Sequence, residues 1–183
     1  MLDAVASITI ADETDAAELA LLRTAVADDL TRRYGPGHWS AAVTERGERR
    51  SIETSRVLIA RGSTGSIIAT LRLATKKPWA IDKGYFATVR RPLYLTDMAV
   101  APGLQRRGTG RRILEEAKAV AAAWPAEAIR LDAYDAAAGA APFYSKCGFR
   151  EVGRVTYRGV PLVYFELLLP VPGVLNRLTT RDD

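Results

Sequence analysis

The chain is poor in several features that mark whole classes of protein. Its 183 residues include one cysteine, Cys147, so no disulfide can form within the chain and a reducing compartment such as the cytoplasm is expected. The first residues have no basic segment before a long apolar stretch, so no secretory signal is expected. No apolar run reaches the length that spans a membrane. Without repeats or low-complexity linkers, one domain is expected at 1–170 and a C-terminal tail at 171–183.

The charge of the chain is basic, with a formal net charge of +5 and a sequence pI of about 9.6. Such a balance suits nucleic acid, but it also suits an acidic cofactor that carries several phosphates. No long run of Lys and Arg interleaved with aromatic residues is present, which ranks a nucleic-acid partner low. A nucleic-acid binder would instead show a DNA affinity that falls steeply with salt.

Hydrophobic periodicity predicts a mixed α/β chain with the element order βααβββαβαββ. Asp15, followed by Glu18, is predicted to start the first helix, which runs to about Arg33. Ser40 is expected to cap a second helix. The remaining elements are predicted from strand and helix patterns: strands at 7–10, 56–60, 66–73, 93–100, 128–134, 149–157 and 162–169, and helices at about 108–123 and 140–146.

The most informative segment is 93–110, LYLTDMAVAPGLQRRGTG, in which an apolar strand is followed by a glycine-rich turn and a helix. Two glycines separated by one residue, Gly108 and Gly110, let the backbone turn tightly and bring its N–H groups near a ligand. The helix that follows directs its positive dipole end to the same place. The order strand, Gly-x-Gly turn and helix therefore predicts a site for a diphosphate. Four arginines add positive charge around it: Arg106, Arg107, Arg111 and Arg112.

Two familiar phosphate loops do not fit this segment. A nucleotide P-loop requires Gly-Lys-Ser/Thr, whereas Gly110 is followed by Arg111 and Arg112. A dinucleotide fingerprint requires a third glycine, which is missing. What remains, Gln-x-x-Gly-x-Gly after a strand that ends in Val-x-Pro, resembles the pyrophosphate loop of the GNAT superfamily of acyl-CoA-dependent N-acyltransferases. The resemblance is specific from about Leu93 to Arg150 and otherwise depends on element order and length.

A second motif supports this resemblance, the segment 141–149, APFYSKCGF, in which a tyrosine on a short helix precedes Gly-Phe. The resemblance implies a mixed, partly splayed central sheet flanked by helices, with acetyl-CoA (coenzyme A) as the acyl donor and no metal. It gives Tyr144 the role of assisting the leaving thiolate, for which a phenol is a suitable donor. The alternative for Tyr144 is a tyrosine that only packs on the sheet. The implied cofactor contacts are Met98, Ala99, Val100, Gln105, Arg106, Arg107, Gly108, Thr109, Gly110 and Arg111.

The general base is left open by the sequence. Asp97 interrupts the apolar run of the fourth strand, and it is either a base whose pKa is raised by desolvation or a residue that caps a bulge. Asp132 and Asp135 lie at the fifth strand and after it. Many members of the superfamily have an asparagine seven residues before the tyrosine, where this chain has Ala137. Asp135 is a candidate to replace that asparagine.

Other candidate residues have two interpretations each. His38, the only histidine, lies with Trp39 where the superfamily builds its acceptor pocket, but a lone loop histidine is more often structural. Trp79, Tyr85 and Phe86 form either an aromatic wall over the acceptor or a small core within their own loop. Cys147 has no evident base nearby and is expected in the core.

These observations together predict an N-acetyltransferase in which a primary amine attacks the thioester directly in a ternary complex. The acceptor is expected to be a small amine or an amino acid, and neither a membrane nor a nucleic acid is an expected partner. The resemblance leaves open a homodimer and whether Arg106 or Arg107 reaches the 3′-phosphate of the cofactor. The alternative is an acyl-CoA-binding or sensing module without turnover, which the missing asparagine at Ala137 favours.

Overall fold

The computed structural model describes residues 5–170, and it has the predicted order of strands and helices. The predicted tail at 171–183 lies outside the described residues. The elements are β1 Ser7–Ile10, α1 Ala16–Tyr34, α2 Glu45–Thr54, β2 Arg56–Arg61, β3 Ile67–Ala74, β4 Pro92–Val100, α3 Thr109–Ala123, β5 Ala128–Tyr134, α4 Ala141–Lys146, β6 Arg150–Tyr157 and β7 Val160–Leu168. No helix within 5–170 is both long enough and apolar enough to cross a membrane.

The strands form one seven-stranded sheet in the order β1-β2-β3-β4-β5-β7-β6. All neighbours are antiparallel except β4 and β5, which are parallel. The pairing of β4 with β5 covers only Pro92–Tyr94 against Ala128–Arg130 and then stops. Beyond that point the two strands separate, so the sheet is splayed at its centre, as predicted. Backbone groups of the second half of β4 therefore have no ladder partner on β5.

Helices cover both faces of the sheet because β2 and its neighbours are apolar on both sides. Alternate residues of β2 face opposite ways, so Leu58 joins the cluster with α3 while Val57 joins the cluster with α1. The α3 side is the larger core and includes Ile113 and Leu114, neither of which is exposed to solvent. The two layers of helices therefore pack on opposite faces of the sheet.

The predicted start of the first helix at Asp15 is confirmed, since α1 begins at the next residue, whereas the predicted cap at Ser40 lies one turn before the cap of α2. The turn before α1 is capped by Asp12, which accepts from the N–H of Thr14, while Asp15 bonds back to the N–H of Asp12. Ser40 lies in a short 3-10 turn, and α2 is capped instead by Thr44. Asp, Ser and Thr are all good caps, so residue type alone does not locate the helix start.

The loop between β3 and β4 contains a small core of its own. Phe86 is buried against Tyr94 and Tyr164, and the ring of Tyr85 makes an edge contact with the ring of Tyr164. This geometry favours the second interpretation of Tyr85 and Phe86, a core within the loop. Trp79 is different, because 85% of it is exposed.

Candidate active site

The turn after β4 has the geometry of an anion site. Gly108 has a φ of 88°, a left-handed conformation that favours glycine, and α3 begins at the next residue. Within the described residues no side chain caps α3. The first N–H groups of the helix are thus available to an oxyanion, and the helix dipole favours negative charge there.

The start of α3 also lies close to β4 and α4. A Cβ at Gly110 would lie 3.3 Å from the Cε of Met98 and 3.5 Å from side-chain atoms of Phe143 and Val100. A glycine at this position lets the helix approach the strand where β4 and β5 separate. Because Met98 also lines the cleft between β4 and β5, the start of α3 lies beside the wall of that cleft.

The basic side chains of this segment have different surroundings. Arg111 donates to the carbonyl of Lys146 at 3.2 Å, and Arg112 donates to the carbonyl of Val5 at 3.0 Å. Arg106 and Arg107 are exposed and make no hydrogen bond or ion pair with any residue in 5–170. Arg106 and Arg107 are consequently the two arginines whose guanidinium groups are free to contact a ligand.

Gln105 has a structural contact of its own. Its side-chain amide donates to the carbonyl of Val100 at 3.1 Å, which ties the turn to the end of β4. The sequence predicted Gln105 as a cofactor contact. The geometry shows that its amide nitrogen positions the loop.

The cleft itself opens where β4 and β5 diverge and has a volume of about 660 Å³. This size is in the range of sites for small molecules. Its walls come from α1, the α1–α2 loop, α2, β3, β4, β5 and the segment before α4. Among the polar and aromatic residues that line it are Arg23, His38, Trp39, Glu48, Ser51, Arg72, Thr96, Asp97, Asp132, Tyr134 and Tyr144.

Tyr144 reaches this cleft from α4. It is buried, and its hydroxyl lies 3.6 Å from the sulfur of Met98. Burial raises the pKa of Tyr144 well above its usual value, and the negative charge of Asp132 adds to the effect. The hydroxyl therefore keeps its proton at neutral pH and can act as a donor. Cys147 is buried in the same core, where the sequence placed it.

Asp97 lies at an irregularity in the pairing of β3 with β4, and its φ is 57°. Its Oδ1 accepts from Arg23 at 2.8 Å, while its Oδ2 accepts from Thr96 at 3.1 Å and lies 3.5 Å from Nε of Arg72. Both oxygens are thus engaged by groups of the protein. Of the two interpretations of Asp97, the geometry favours the residue at a bulge over the base.

Asp132 is the cleft carboxylate without such partners. It lines the central cleft and a second cavity of about 540 Å³ beside Trp79, and it forms no ion pair with Lys or Arg in 5–170. Burial raises the pKa of Asp132, and Asp97 raises it further, while its own backbone N–H and His38 act in the opposite direction. A half-buried carboxylate with a raised pKa is suited to accept a proton near neutral pH.

Asp135 is paired with an arginine. Both of its oxygens lie 2.8 Å from Nη1 of Arg154 on β6. This pair engages the carboxylate, so the geometry speaks against Asp135 as a substitute for an asparagine at Ala137.

His38 belongs to an aromatic cluster at the wall of the cleft. Its ring centroid lies 5.0 Å from that of Trp39 and 4.9 Å from that of Tyr134, in edge-to-face geometry. Such contacts fix the α1–α2 loop against the end of β5. This favours the structural interpretation of His38.

Three charged residues of the cleft were missed by sequence reasoning: Arg23, Glu48 and Arg72. Arg23 and Glu48 lie on helices in which charged residues are common, so nothing marks them. Arg72 does interrupt the apolar run of β3, and that interruption is the one signal by which it could have been found. No group of three or more His, Cys, Asp or Glu side chains that could hold a metal was found in the described part of the chain.

Comparisons with known proteins agree with this geometry. A family model described as an acetyltransferase (GNAT) domain matches residues 53–151. The fold is similar to that of an N-acetyltransferase from Staphylococcus aureus Mu50, with a TM-score of 0.68 and 15% identity over 90% of this chain and 98% of that one.

Two further solved structures have the same fold. The yncA protein of Salmonella typhimurium, solved with its cofactor acetyl-CoA, has a TM-score of 0.67 and 18% identity over 90% of this chain and 94% of its own. A ribosomal-protein-alanine N-acetyltransferase from Brucella melitensis has a TM-score of 0.66 and 20% identity over 89% and 99%. No curated protein matches the chain significantly.

Proposed function

The chain belongs to the GNAT acetyltransferase superfamily and uses acetyl-CoA, and from that premise we propose that it acetylates the primary amine of a small molecule. The observation that carries the proposal is the placement of Tyr144 and Asp132 on the walls of one cleft, where β4 and β5 separate. One group can donate a proton and the other can accept one, as acyl transfer from a thioester to an amine requires.

The chain offers a fitting set of groups for acetyl-CoA. The uncapped start of α3, with Gly108 before it, would hold the diphosphate through backbone N–H groups. Arg106 or Arg107 would contact the 3′-phosphate. The backbone of Met98, Ala99 and Val100, which has no ladder partner on β5, would hold the pantetheine arm. The remaining proposed contacts are Gln105, Thr109, Gly110 and Arg111.

Acetyl-CoA supplies the acetyl group as a thioester when it is bound. Asp132 accepts the proton that the amine nitrogen loses as its new bond to the acetyl carbon forms. Tyr144 donates its proton to the sulfur as the carbon–sulfur bond breaks, and solvent then restores both side chains. Asp97 is proposed to position the cleft wall and not to take the proton, because Arg23, Arg72 and Thr96 engage its oxygens.

The test is the release of coenzyme A from acetyl-CoA with a panel of primary amines, with the acetylated products identified by mass spectrometry. Asp132→Asn is expected to lower turnover by roughly 10²-fold or more, on the scale of lost proton transfer. For the wild type, kcat/KM is expected to fall as the pH drops through the raised pKa of Asp132, since the protonated carboxyl cannot accept a proton. Asp135→Asn is the matched control and should retain activity, because that carboxylate binds Arg154.

One result would favour the alternative, an acyl-CoA-binding or sensing module. If the protein binds acetyl-CoA with normal affinity and acetylates no amine in the panel, the proposed turnover is wrong. The absence of an asparagine at Ala137 is the feature that speaks for that alternative. The one-domain boundary at 1–170, the cytoplasmic location and the homodimer stay predictions.

A further inference from the structure

The end of the cleft formed by α1, α2, β3 and β4 contains a chain of polar side chains, here named the arginine network: Arg23, Glu48, Ser51, Arg72 and Asp97. Arg23 donates to Glu48 at 2.6 Å and to Asp97 at 2.8 Å. Arg72 lies on the other side of Asp97, with its Nε 3.5 Å from that carboxylate, and donates from Nη1 to the hydroxyl of Ser51 at 3.1 Å. All five residues line the central cleft.

Fold stability gives little reason for this arrangement. Glu48 is buried, and burial raises its pKa even though Arg23 lowers it. Replacing buried ion pairs by apolar side chains is often neutral or stabilising, so the network is weak evidence for a stabilising role. Asp97 also has a φ of 57°, a conformation that is unfavourable for a residue with a Cβ. Backbone strain of this kind concentrates at functional sites.

Some hydrogen-bond donors of the arginine network are not used within the protein and are available to a ligand. Within residues 5–170, Nη1 to Ser51 is the only hydrogen bond that the guanidinium of Arg72 makes, and its buried Nε, 3.5 Å from Asp97, makes an ion pair but no hydrogen bond. The other such donor is Nε1 of Trp39, a residue that lines the same cleft. The side chain of Arg72 is nevertheless 30% exposed. Buried polar groups are normally hydrogen-bonded, so two donors without a hydrogen bond at one cleft favour a ligand that supplies acceptors.

We propose that the acetyl acceptor is a primary amine that also carries a carboxylate, with the carboxylate on Arg72 and the amine beside Asp132. The inference rests on the proposed function, because it assumes that the amine is acetylated in this cleft. A guanidinium pairs with a carboxylate through two parallel hydrogen bonds, which fixes the orientation of the bound molecule. Since Asp97 and Glu48 lie close by, a doubly charged anion such as phosphate is disfavoured.

In this proposal two walls of the cleft bind the two functional groups of the same molecule. Arg72 holds the carboxylate at the network, and the amine of the same molecule points towards the wall that contains Asp132 and Tyr144. A cavity of about 660 Å³ has room for an amino acid and a side chain.

The experiment compares three matched acceptors for each of several amino acids: the amino acid, its carboxamide, and the amine without the carboxyl group. Rates are expressed per concentration of neutral amine, so that differences in amine pKa do not enter. The wild type is expected to prefer the amino acid over the decarboxylated amine by at least tenfold in kcat/KM. Arg72→Gln should remove this preference, chiefly by raising KM for the amino acid, so that the ratio of the two kcat/KM values approaches one.

Arg90→Gln is the control, since Arg90 is an exposed arginine next to Glu127, at the opposite end of β5 from Asp132. It removes the same charge and should keep the wild-type preference. If Arg72→Gln does not fold, Arg72→Lys keeps the charge without the planar fork and should give an intermediate preference. The comparison of acceptors in the wild type tests the preference for a carboxylate without any variant, and the Arg72 variants test the role of Arg72.

The outcomes separate the two proposals. A wild type that acetylates amines but treats the decarboxylated amine as well as the amino acid overturns the carboxylate inference alone. A wild type that binds acetyl-CoA and acetylates none of the three acceptors overturns the proposed function, and this inference with it. A preference that persists unchanged in Arg72→Gln assigns the carboxylate to another residue and refutes the role of Arg72.

Discussion

The hydroxyl of Tyr144 lies 3.6 Å from the sulfur of Met98, and this contact bridges α4 and β4 at the place where β4 leaves β5. Met98 also defines how closely α3 can approach, because its Cε would lie 3.3 Å from a Cβ at Gly110. The start of α3, the splayed strand β4 and the proposed proton donor thus meet around one methionine. A thioester held along β4 would have its sulfur within reach of that hydroxyl.

Tyr144→Phe should lower turnover by roughly 10²-fold or more and leave the affinity for coenzyme A and the fold nearly unchanged. The ring and its packing stay, and only the proton donor is lost. The measurements are single-turnover kinetics and calorimetry. Tyr94→Phe is the control, since Tyr94 is a buried tyrosine in a different cluster. If Tyr144→Phe keeps full turnover while chemistry limits the rate, then Tyr144 is a packing residue and another group protonates the sulfur.

Gly108→Val should weaken coenzyme A binding by about 2 kcal/mol or more, the scale of lost charge-assisted hydrogen bonds. A β-branched side chain is strained at a φ of 88° and would stand where the backbone is expected to approach the diphosphate. Gly65→Val is the matched control, because Gly65 has a φ of 87° and lies in the β2–β3 hairpin. At both glycines a Cβ would meet no described atom within 4 Å, so the two positions have equal room.

The two variants should lose similar stability, and only the one at Gly108 should lose affinity. Calorimetry with coenzyme A and thermal unfolding measure the two effects separately. Equal affinity for coenzyme A in both folded variants would contradict the placement of the diphosphate at the start of α3.

The arginines near this helix should differ in their effect on the cofactor. Arg106→Ala or Arg107→Ala is expected to weaken coenzyme A binding more than dephospho-coenzyme A binding, because one of these free guanidinium groups is proposed to contact the 3′-phosphate. Arg112→Ala should leave both affinities unchanged, since Arg112 donates to the carbonyl of Val5. Similar losses for all of these variants and both ligands would mean a diffuse electrostatic attraction and no defined contact.

Much of the fold could be predicted because it depends on local patterns. The strand at Ala128–Tyr134 has the bounds that its apolar run predicted, and α3 begins one residue after the predicted start at Gly108. The helix caps were harder, since Asp12 and Thr44 compete with equally suitable neighbours. Local pattern therefore gives element type better than it gives the terminal residue.

The cleft was less predictable because its polar groups come from distant parts of the chain. Asp97 was visible as a charge inside an apolar strand, but its partners Arg23 and Arg72 lie on α1 and β3. The pairing of Asp135 with Arg154 likewise depends on how β6 lies in the sheet. Contacts of this kind cannot be derived from sequence spacing. They determine which carboxylate of the cleft is proposed to accept the proton of the amine.

The stability of the fold should depend on pH through Asp132. Burial raises the pKa of Asp132, so the folded chain favours its protonated form. The contribution of this group to stability is therefore present below its unfolded pKa, near 3.9, and is lost as the pH rises through the raised folded pKa. Asp132→Asn removes the buried charge, so it should raise the melting temperature at neutral pH, and the gain over the wild type should shrink as the pH falls towards 4.

Asp135→Asn should show no such gain, because it breaks the pair with Arg154. Thermal unfolding of the three proteins between about pH 4 and 8 measures this, and a gain for Asp132→Asn that is independent of pH would contradict a raised pKa for Asp132.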